Sequence, residues 1–239
     1  MGGFDRWDGV RKPGDGALQT GRETLNENTR KLLERFYEVN PDLAVCAADI
    51  ERACETLIGC YRERGKALLC GNGGSAADCE HMAGELMKGF LRRRGLPDGE
   101  KARFKRLYGS AGETLATRLQ GALPAISLTG QSALLTACAN DIGSEFVFAQ
   151  QVYGYGRPGD VLVAVSTSGH SANVLQAMRT AGFMDMTVIG LTGSAPSEFD
   201  GLCHVVVKAP AEDAFRVQEY HLPIYHLLCA AAESEFFDE

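Results

Sequence analysis

The stretch KALLCGNGGSAADCEHMAGELMKG, Lys66 to Gly89, decides the fold of this chain. It opens with a short apolar run, passes through a glycine-rich turn (Gly71, Gly73, Gly74) and takes a helical pattern from Ser75. This order predicts a strand, a tight turn and a helix N-terminus. Because such a turn presents backbone N–H groups to an anion, we expect a phosphate site. The turn lacks the P-loop ending and the dinucleotide spacing, so no nucleotide cofactor is expected.

A second stretch repeats this chemistry. DVLVAV, Asp160 to Val165, reads as a buried strand, a hydroxyl-rich turn follows it, and Ala172 to Ala181 has a helical pattern. Hydroxyl groups donate hydrogen bonds to phosphate oxygens, and Ser171 is a plausible N-cap. In open α/β sheets, ligands bind at the carboxyl ends of the strands. The two turns therefore predict one phosphate site, built from Asn72, Gly73, Gly74, Ser75, Ser166, Thr167, Ser168 and Ser171.

Composition excludes several classes of protein. A chain of 239 residues with 45% hydrophobic residues can bury one α/β core. The net charge of -7 argues against broad nucleic-acid binding, and no apolar run is long enough to span a membrane. The eight cysteines form no C-x-x-C pair, which indicates buried thiols in a reducing compartment. We therefore expect a cytoplasmic protein that binds a small molecule and neither nucleic acid nor membrane.

Alternating patterns along the chain predict the fold class. Residues 1–20 read as a flexible leader, and residues 21–239 read as a single domain. Two long amphipathic helices, ending near Val39 and Arg64, precede the first strand. Strands then alternate with helices, which predicts a three-layer α/β/α fold around a five-stranded parallel sheet. The five predicted strands are Ala67 to Cys70, Ala122 to Leu128, Asp160 to Val165, Thr187 to Leu191 and His204 to Val207.

These motifs together resemble a known family. GNGGS at Gly71 to Ser75 with His81 and Glu85 behind it, STSGHS at Ser166 to Ser171, and RVQEYHLPIYH at Arg216 to His226 resemble the sugar isomerase (SIS) domain. Within that superfamily they are most similar to the sedoheptulose 7-phosphate (phosphoheptose) isomerases. The resemblance implies a flavodoxin-like, doubly wound SIS fold and a homotetramer in which the N-terminal helices make subunit contacts. It also implies conversion of sedoheptulose 7-phosphate to D-glycero-D-manno-heptose 7-phosphate through an enediol, for surface-polysaccharide precursors.

Four polar side chains are the candidates for the chemistry. His81 and Glu85 are four residues apart, so they share a helix face, and the resemblance assigns Glu85 and His226 as the acid/base pair. The same resemblance offers His81, Glu85, Gln218 and His226 as zinc ligands, a donor set that zinc accepts. Sequence leaves open whether these residues transfer protons or hold a metal. Gln218 and Asp141 are also expected to contact the sugar.

The chain departs from the family in three places. The family carries an arginine four residues beyond the catalytic glutamate, where this chain has Gly89, and Lys88 or an arginine of the following segment is a candidate replacement. Phe215 stands where the family has an aspartate. Residues 91–118 form a basic insertion, expected to be a solvated loop followed by a short helix. These departures keep open an isomerase of another sugar phosphate.

A second hypothesis belongs to a different class of protein. SIS proteins of the replication-initiator-associating type bind a sugar phosphate or a protein partner without catalysis and lack the glutamate equivalent to Glu85. The presence of Glu85, together with Gln218 and His226, favours an enzyme. The anomer of the product is left open by the sequence.

Overall fold

Five parallel strands form a single sheet in the computed structural model, which describes Leu25 to Phe237. The leader predicted at residues 1–20 lies outside the described residues. The strands stand in the order β2-β1-β3-β4-β5. Strand β2 is therefore added on one side of β1, and the three later strands are added on the other side. The strands are β1 (Ala67–Gly71), β2 (Ala125–Ser127), β3 (Val161–Val165), β4 (Thr187–Thr192) and β5 (Val205–Lys208).

The two central strands are buried along their whole length. Every residue of β1 and of β3 is buried, and the strands pair in register from Ala67 with Val161 to Gly71 with Val165. A parallel sheet that is covered on both faces shows continuous apolar runs instead of alternation. ALLCG and VLVAV are such runs, and the predicted α/β fold is confirmed.

Helices cover both faces of the sheet. One apolar core joins strand side chains such as Leu69 and Val163 to one helical layer, while Leu68 and Leu162 point to the other. The first layer comprises α1 (Glu27–Val39), α2 (Ala47–Arg62), α3 (Gly74–Met87) and α9 (Ala214–Phe236). The second comprises α5 (Ser132–Asp141), α6 (Val147–Tyr155), α7 (Ala172–Phe183) and α8 (Phe199–Leu202).

The two N-terminal helices begin and end at recognisable signals. The Asn26 side chain caps α1 by accepting a hydrogen bond from the backbone N–H of Thr29 at 2.8 Å. The helix ends before Asn40, and Pro41 opens a 3₁₀ turn that leads into α2 at Ala47. The backbone N–H of Asn26 also donates to Glu235, so the start of α1 is held against the end of α9.

The insertion is a helical hairpin, which differs from the solvated loop and short helix expected. Helix α4 (Asp98–Arg118) bends sharply at Gly109, where φ is +58°. A Cβ atom at Gly112 would lie 1.9 Å from the carbonyl oxygen of Phe104, so the two arms are packed closely together there. Backbone pairing of Gly95 with Gln120 closes the base of the hairpin.

The helix predicted from Ser132 to Tyr153 is interrupted. Gly143 adopts a φ of +135°, which favours glycine, and it separates α5 from a 3₁₀ turn that leads into α6. Within residues 25–237, no helix is both long enough and apolar enough to cross a lipid bilayer.

Candidate active site

The two predicted phosphate turns lie side by side. The first follows β1 and the second follows β3, and these adjacent parallel strands end at the same edge of the sheet. The edge is also the place where the strand order reverses, which is the usual ligand site of this topology. Gly73 has a φ of +56° and precedes α3, whose first turn contains the buried Ser75. The structure therefore brings the two turns together at the carboxyl ends of β1 and β3.

The serine turn is fixed by its own hydroxyl groups. Ser166 is buried, lies 3.0 Å from the Ser171 hydroxyl and accepts the backbone N–H of Gly169 at 3.2 Å. Gly169 has a φ of +67°, and a Cβ atom there would lie 2.3 Å from Oγ of Ser197. Any residue other than glycine would be strained at this position, both by the positive φ and by the contact of its Cβ atom with Ser197. The Ser168 side chain and His170 are exposed, whereas Thr167 is half-buried.

A reciprocal amide pair joins the two turns. Nδ2 of Asn72 donates to Oδ1 of Asn173 at 2.8 Å, and Nδ2 of Asn173 donates back to Oδ1 of Asn72 at 2.8 Å. Asn173 lies in the first turn of α7 and was not among the residues predicted from the sequence. Its signal was weak, because an asparagine near a helix N-terminus is ordinary.

Helices α3 and α9 run side by side in the same direction. Gln218 lies against Gly74, where a Cβ atom would be 2.3 Å from Nε2 of the glutamine, so a side chain at residue 74 would displace the Gln218 amide. Seven residues further along each helix, the Tyr225 hydroxyl lies 2.9 Å from Nδ1 of His81. The line of contact between the two helices therefore runs from the glycine turn to the histidine cluster. Pro223 lies inside α9 without ending it.

Three of the four predicted chemical residues are neighbours. Nε2 of His81 lies 3.4 Å from Oε1 of Glu85, and the His81 and His226 rings meet edge to face with centroids 4.9 Å apart. The side chain of Glu85 is 13% exposed, against 45% for His81. Burial lowers the pKa of His226, an effect that nearby His81 reinforces and Glu85 opposes. The arrangement places a carboxylate and two imidazoles in one partly buried cluster.

The structure brings together only some of the four predicted zinc ligands. Among residues 25–237, no group of three or more histidine, cysteine, aspartate or glutamate side chains is arranged to hold a metal ion. Nε2 of His226 is nevertheless buried without a hydrogen-bond partner within that range. A buried lone pair or N–H without a partner is costly, so this atom is suited to a ligand. The imidazole and carboxylate donors next to it are ones that zinc accepts.

Asp141 is placed differently from the other predicted residues. It is the last residue of α5, it is exposed, and its carboxylate accepts a hydrogen bond from Asn140 at 2.8 Å. Within Leu25–Phe237 no hydrogen bond or ion pair joins Asp141 to either turn or to His81, Glu85 and His226.

Lys88 lies at the rim of the site. Its Nζ atom is 3.3 Å from Oε2 of Glu85, with 59% of the lysine side chain exposed. At Gly89 a Cβ atom would lie 2.5 Å from the carbonyl oxygen of Arg92 and 2.8 Å from Oε1 of Gln120. The base of the insertion thus occupies the space into which a side chain at residue 89 would extend.

Comparison with known proteins identifies the relatives of this chain. An SIS domain family model matches residues 99–193. A phosphoheptose isomerase from Rhodospirillum rubrum is 37% identical over 80% of this chain and 88% of its own length. Another from Roseiflexus sp. is 38% identical over 86% and 88%, respectively.

Solved structures give the same assignment of fold. The phosphoheptose isomerase from Neisseria gonorrhoeae superposes with a TM-score of 0.65 at 32% identity, covering 88% of this chain and all of its own. The enzyme from Francisella tularensis has a TM-score of 0.66 at 27% identity, covering 86% and 96%. Both likenesses extend over most of the described α/β fold.

Proposed function

Since the chain belongs to the phosphoheptose isomerase family of SIS-domain proteins, we propose that it isomerises sedoheptulose 7-phosphate to a heptose 7-phosphate. The observation that carries this proposal is the contact between α3 and α9, which runs from a phosphate-type turn to a carboxylate and two imidazoles. The phosphate binds at the turns, and the sugar chain extends from them toward Glu85 and His226. The product is D-glycero-D-manno-heptose 7-phosphate.

Phosphate binding is assigned to the two turns. Backbone N–H groups of the first turn, at Gly73, Gly74 and Ser75, meet the phosphate at the positive end of α3. Hydroxyl groups of the second turn donate further hydrogen bonds, and the Ser166 contact with Ser171 holds them in place. Asn72 lies between the two turns and Gln218 lies against Gly74, and both bind the first sugar hydroxyls. The second-turn donors are Ser166, Thr167, Ser168 and Ser171.

Glu85 and His226 carry out the proton transfers. A base removes a proton from C1 of the ketose, the electron pair moves to form the C1–C2 enediol, and C2 then receives a proton. The hydroxyl proton leaves O1 and a proton is added to O2, so the product has the same atoms as the substrate. Glu85 suits the carbon transfer because it is mostly shielded from solvent. His226, whose Nε2 has no other partner within the described chain, suits the oxygen transfer.

The donors at this site are of the kind that zinc accepts, although residues 25–237 do not hold them as a complete ligand set. Nε2 of His81, Oε1 of Glu85 and the unpartnered Nε2 of His226 would be ligands of such an ion, whereas Gln218, the fourth predicted ligand, lies against Gly74 at the start of α3. When bound, such an ion polarises a carbonyl and stabilises developing negative charge. The protein's contribution is to hold these donors on two adjacent helices.

Lys88 replaces the arginine that the family carries one residue later. Its ammonium lies beside the Glu85 carboxylate, at the rim of the pocket, and residue 89 is closed to any larger side chain. A cation at this place stabilises the anionic enediolate. The base of the hairpin insertion fills the space beside Gly89, so the cation is supplied from Lys88 instead of from an arginine at residue 89.

Several features of the whole assembly follow as proposals. The protein works as a homotetramer whose subunit contacts involve α1 and α2. It acts in the cytoplasm, in agreement with the absence of disulfides among its eight cysteines, all of which lie in the described part of the chain. Residues 21–239 form one SIS domain, and residues 91–118 are its insertion.

The decisive experiment measures conversion of sedoheptulose 7-phosphate in deuterium oxide by NMR. An enediol route in which the proton held by the base exchanges with solvent before it is returned predicts deuterium at C2 of the product. Glu85→Gln should abolish turnover. Glu80→Gln, a matched change of an exposed carboxylate on the same helix, should leave it intact. Loss on chelation with recovery by zinc would assign the metal. Absence of turnover in every metal condition would overturn the substrate assignment.

A further inference from the structure

Phe90 lies against one of the two proposed acid/base residues. Its ring meets the His226 ring in a tilted arrangement, with centroids 5.4 Å apart and ring planes at 48°. Aromatic rings at such separations attract one another. Phe90 follows the end of α3 by three residues, is half-buried and packs against the same core as α9. It was not among the residues predicted from the sequence.

The orientation of the His226 imidazole depends on ring contacts of this kind. Its Nε2 atom has no hydrogen-bond partner within the described residues, so no polar group of that part of the chain holds this side of the ring. Tyr225, its neighbour in α9, and His81 in α3 meet it edge to face, each with centroids 4.9 Å away. Phe90 adds a third contact, from a segment outside the two helices. A shift of this segment would therefore be transmitted directly to His226.

The segment that carries Phe90 is fixed by a buried carboxylate. Glu233 lies seven residues after His226 on α9 and is 1% exposed. One of its oxygens accepts the backbone N–H of Phe90 at 2.8 Å, and the other accepts those of Leu91 at 2.7 Å and Arg92 at 3.2 Å. Successive backbone N–H groups that converge on one anion define the conformation of the chain that carries them. The position of Phe90 is therefore set by Glu233.

Arg94 completes this arrangement and links it to the other acid/base residue. Its Nε atom donates to the Glu233 oxygen that also accepts the N–H of Phe90. Its other nitrogens donate to the carbonyl oxygens of Leu86 at 2.6 Å and Glu85 at 2.9 Å. The last carbonyl groups of a helix lack partners within it, so the guanidinium satisfies the end of α3. One buried ion pair thus holds the backbone at both Glu85 and Phe90.

We propose that Phe90 is a positioning residue for His226, and that the Arg94–Glu233 pair holds it in that place. The inference rests on the proposed function of the site, in which His226 transfers protons between the substrate oxygens. Such a transfer needs the imidazole nitrogen within about 2.6 to 3.2 Å of a substrate oxygen. A turned or mobile ring meets this condition less often, which slows the chemical step more than it weakens substrate binding.

Crystal structures of the wild type, Phe90→Leu and Phe90→Tyr, determined with a chelator and without substrate, test the positioning directly. Leucine fills part of the space but has no ring, so His226 should be turned or occupy a second rotamer in Phe90→Leu. Phe90→Tyr should keep the wild-type orientation of His226. An unchanged His226 ring in Phe90→Leu would overturn the inference. Because no turnover is involved, this result is separate from any failure of the proposed function.

Steady-state kinetics with sedoheptulose 7-phosphate give a second readout. Phe90→Leu should lower kcat about tenfold and change KM by less than about twofold, whereas Phe90→Tyr should retain most of kcat. Phe36→Leu is the matched control, since Phe36 is also half-buried against the same core and its ring contacts Tyr37 instead. Equal losses of kcat in the two leucine variants would indicate a general loss of packing and would overturn the inference. Absence of turnover in the wild type would overturn the proposed function, and the crystal structures would still decide the role of Phe90.

Glu233→Gln tests the part of the proposal that concerns the ion pair. The glutamine amide places N–H groups against those of Leu91 and Arg92, so the segment should loosen and kcat should fall as in Phe90→Leu. In the double variant kcat should fall no further than in the single variants, because both changes act through the same ring. Losses of kcat that multiply in the double variant would show that Glu233 does not act through Phe90.

Discussion

Arg94 and Glu233 form an ion pair that is almost completely shielded from solvent. Nε of Arg94 donates to Oε1 of Glu233 at 2.8 Å, and the two side chains are 0% and 1% exposed. The guanidinium also donates to the carbonyl oxygens of Leu86 at 2.6 Å and Glu85 at 2.9 Å. Glu233 in turn accepts the backbone N–H of Phe90 at 2.8 Å. One pair therefore joins the end of α3, the base of the insertion and α9.

Arg94→Met should strongly destabilise the protein. Removing one member of a buried pair leaves the other charge uncompensated, which costs about 3 to 5 kcal/mol in free energy of unfolding. For a chain of this size that corresponds to a fall of roughly 6 to 20 °C in Tm, measured by thermal unfolding. Arg93→Met is the control, since Arg93 is exposed and its change should cost less than about 0.5 kcal/mol. Equal effects of the two substitutions would contradict this account.

The contacts of Arg94 also mark a limit of reading the sequence. Arg92, Arg93 and Arg94 are equivalent in a basic run, and such a run predicts a solvated face. Only the return of α9 to the end of α3 makes Arg94 a buried partner of Glu233, across 139 residues of chain. Local patterns carry no information on pairs so distant, whereas the strands and glycine turns are specified locally.

The site follows the same division. The two turns and the His81–Glu85 pair depend on spacing within one helix or one loop, so the sequence predicted their neighbourhood. The contacts of Tyr225 with His81 and of Asn173 with Asn72 cross between elements and were missed. The hairpin form of the insertion was also missed, because it depends on close packing at Gly112.

Lys88→Met should lower kcat/KM by about tenfold, equivalent to about 1.4 kcal/mol of transition-state stabilisation. The ammonium lies 3.3 Å from the Glu85 carboxylate, so it is close to the substrate carbon that Glu85 deprotonates and to the negative charge of the resulting enediolate. Lys88→Arg should retain most of the activity because it keeps the charge. Steady-state kinetics would test this against Lys101→Met, which removes an exposed lysine paired three residues away with Asp98 on the hairpin. If both methionine variants retain full activity, Lys88 is an ordinary surface lysine.

Asn173→Ala should raise KM about fivefold, the effect of about 1 kcal/mol from a lost hydrogen bond. Asn173 acts through Asn72, whose amide it holds by two bonds of 2.8 Å. In an Asn72→Ala background, the same substitution should therefore add no further loss of kcat/KM. Gln176→Ala, one turn along α7, is the matched control and should leave KM unchanged. Additive effects of the two asparagine substitutions would indicate that Asn173 contacts substrate independently.

Protonation of His221 should destabilise the fold in mild acid. This side chain is 0% exposed, its Nδ1 atom has no partner among the described residues, and Nε2 lies 3.4 Å from the carbonyl oxygen of Thr192. Burial lowers its pKa to about 4, so the folded protein keeps the imidazole neutral. The unfolded chain binds a proton near the ordinary pKa of about 6.5. Stability from the neutral imidazole is therefore complete above that pH and is lost as the pH falls toward 4.

The expected loss between about pH 7.5 and pH 5 is about 2 kcal/mol in free energy of unfolding. Urea denaturation at both pH values would measure it in the wild type and in His221→Gln. The glutamine variant has no group that titrates in this range at residue 221, and its amide can still donate toward Thr192. Between the two pH values the variant should therefore lose about 2 kcal/mol less free energy of unfolding than the wild type. This holds even if the variant is less stable at both pH values. All other titrating groups, including His226 and the carboxylates, are common to the two proteins. Equal changes in stability would therefore show that the His221 imidazole does not govern acid sensitivity.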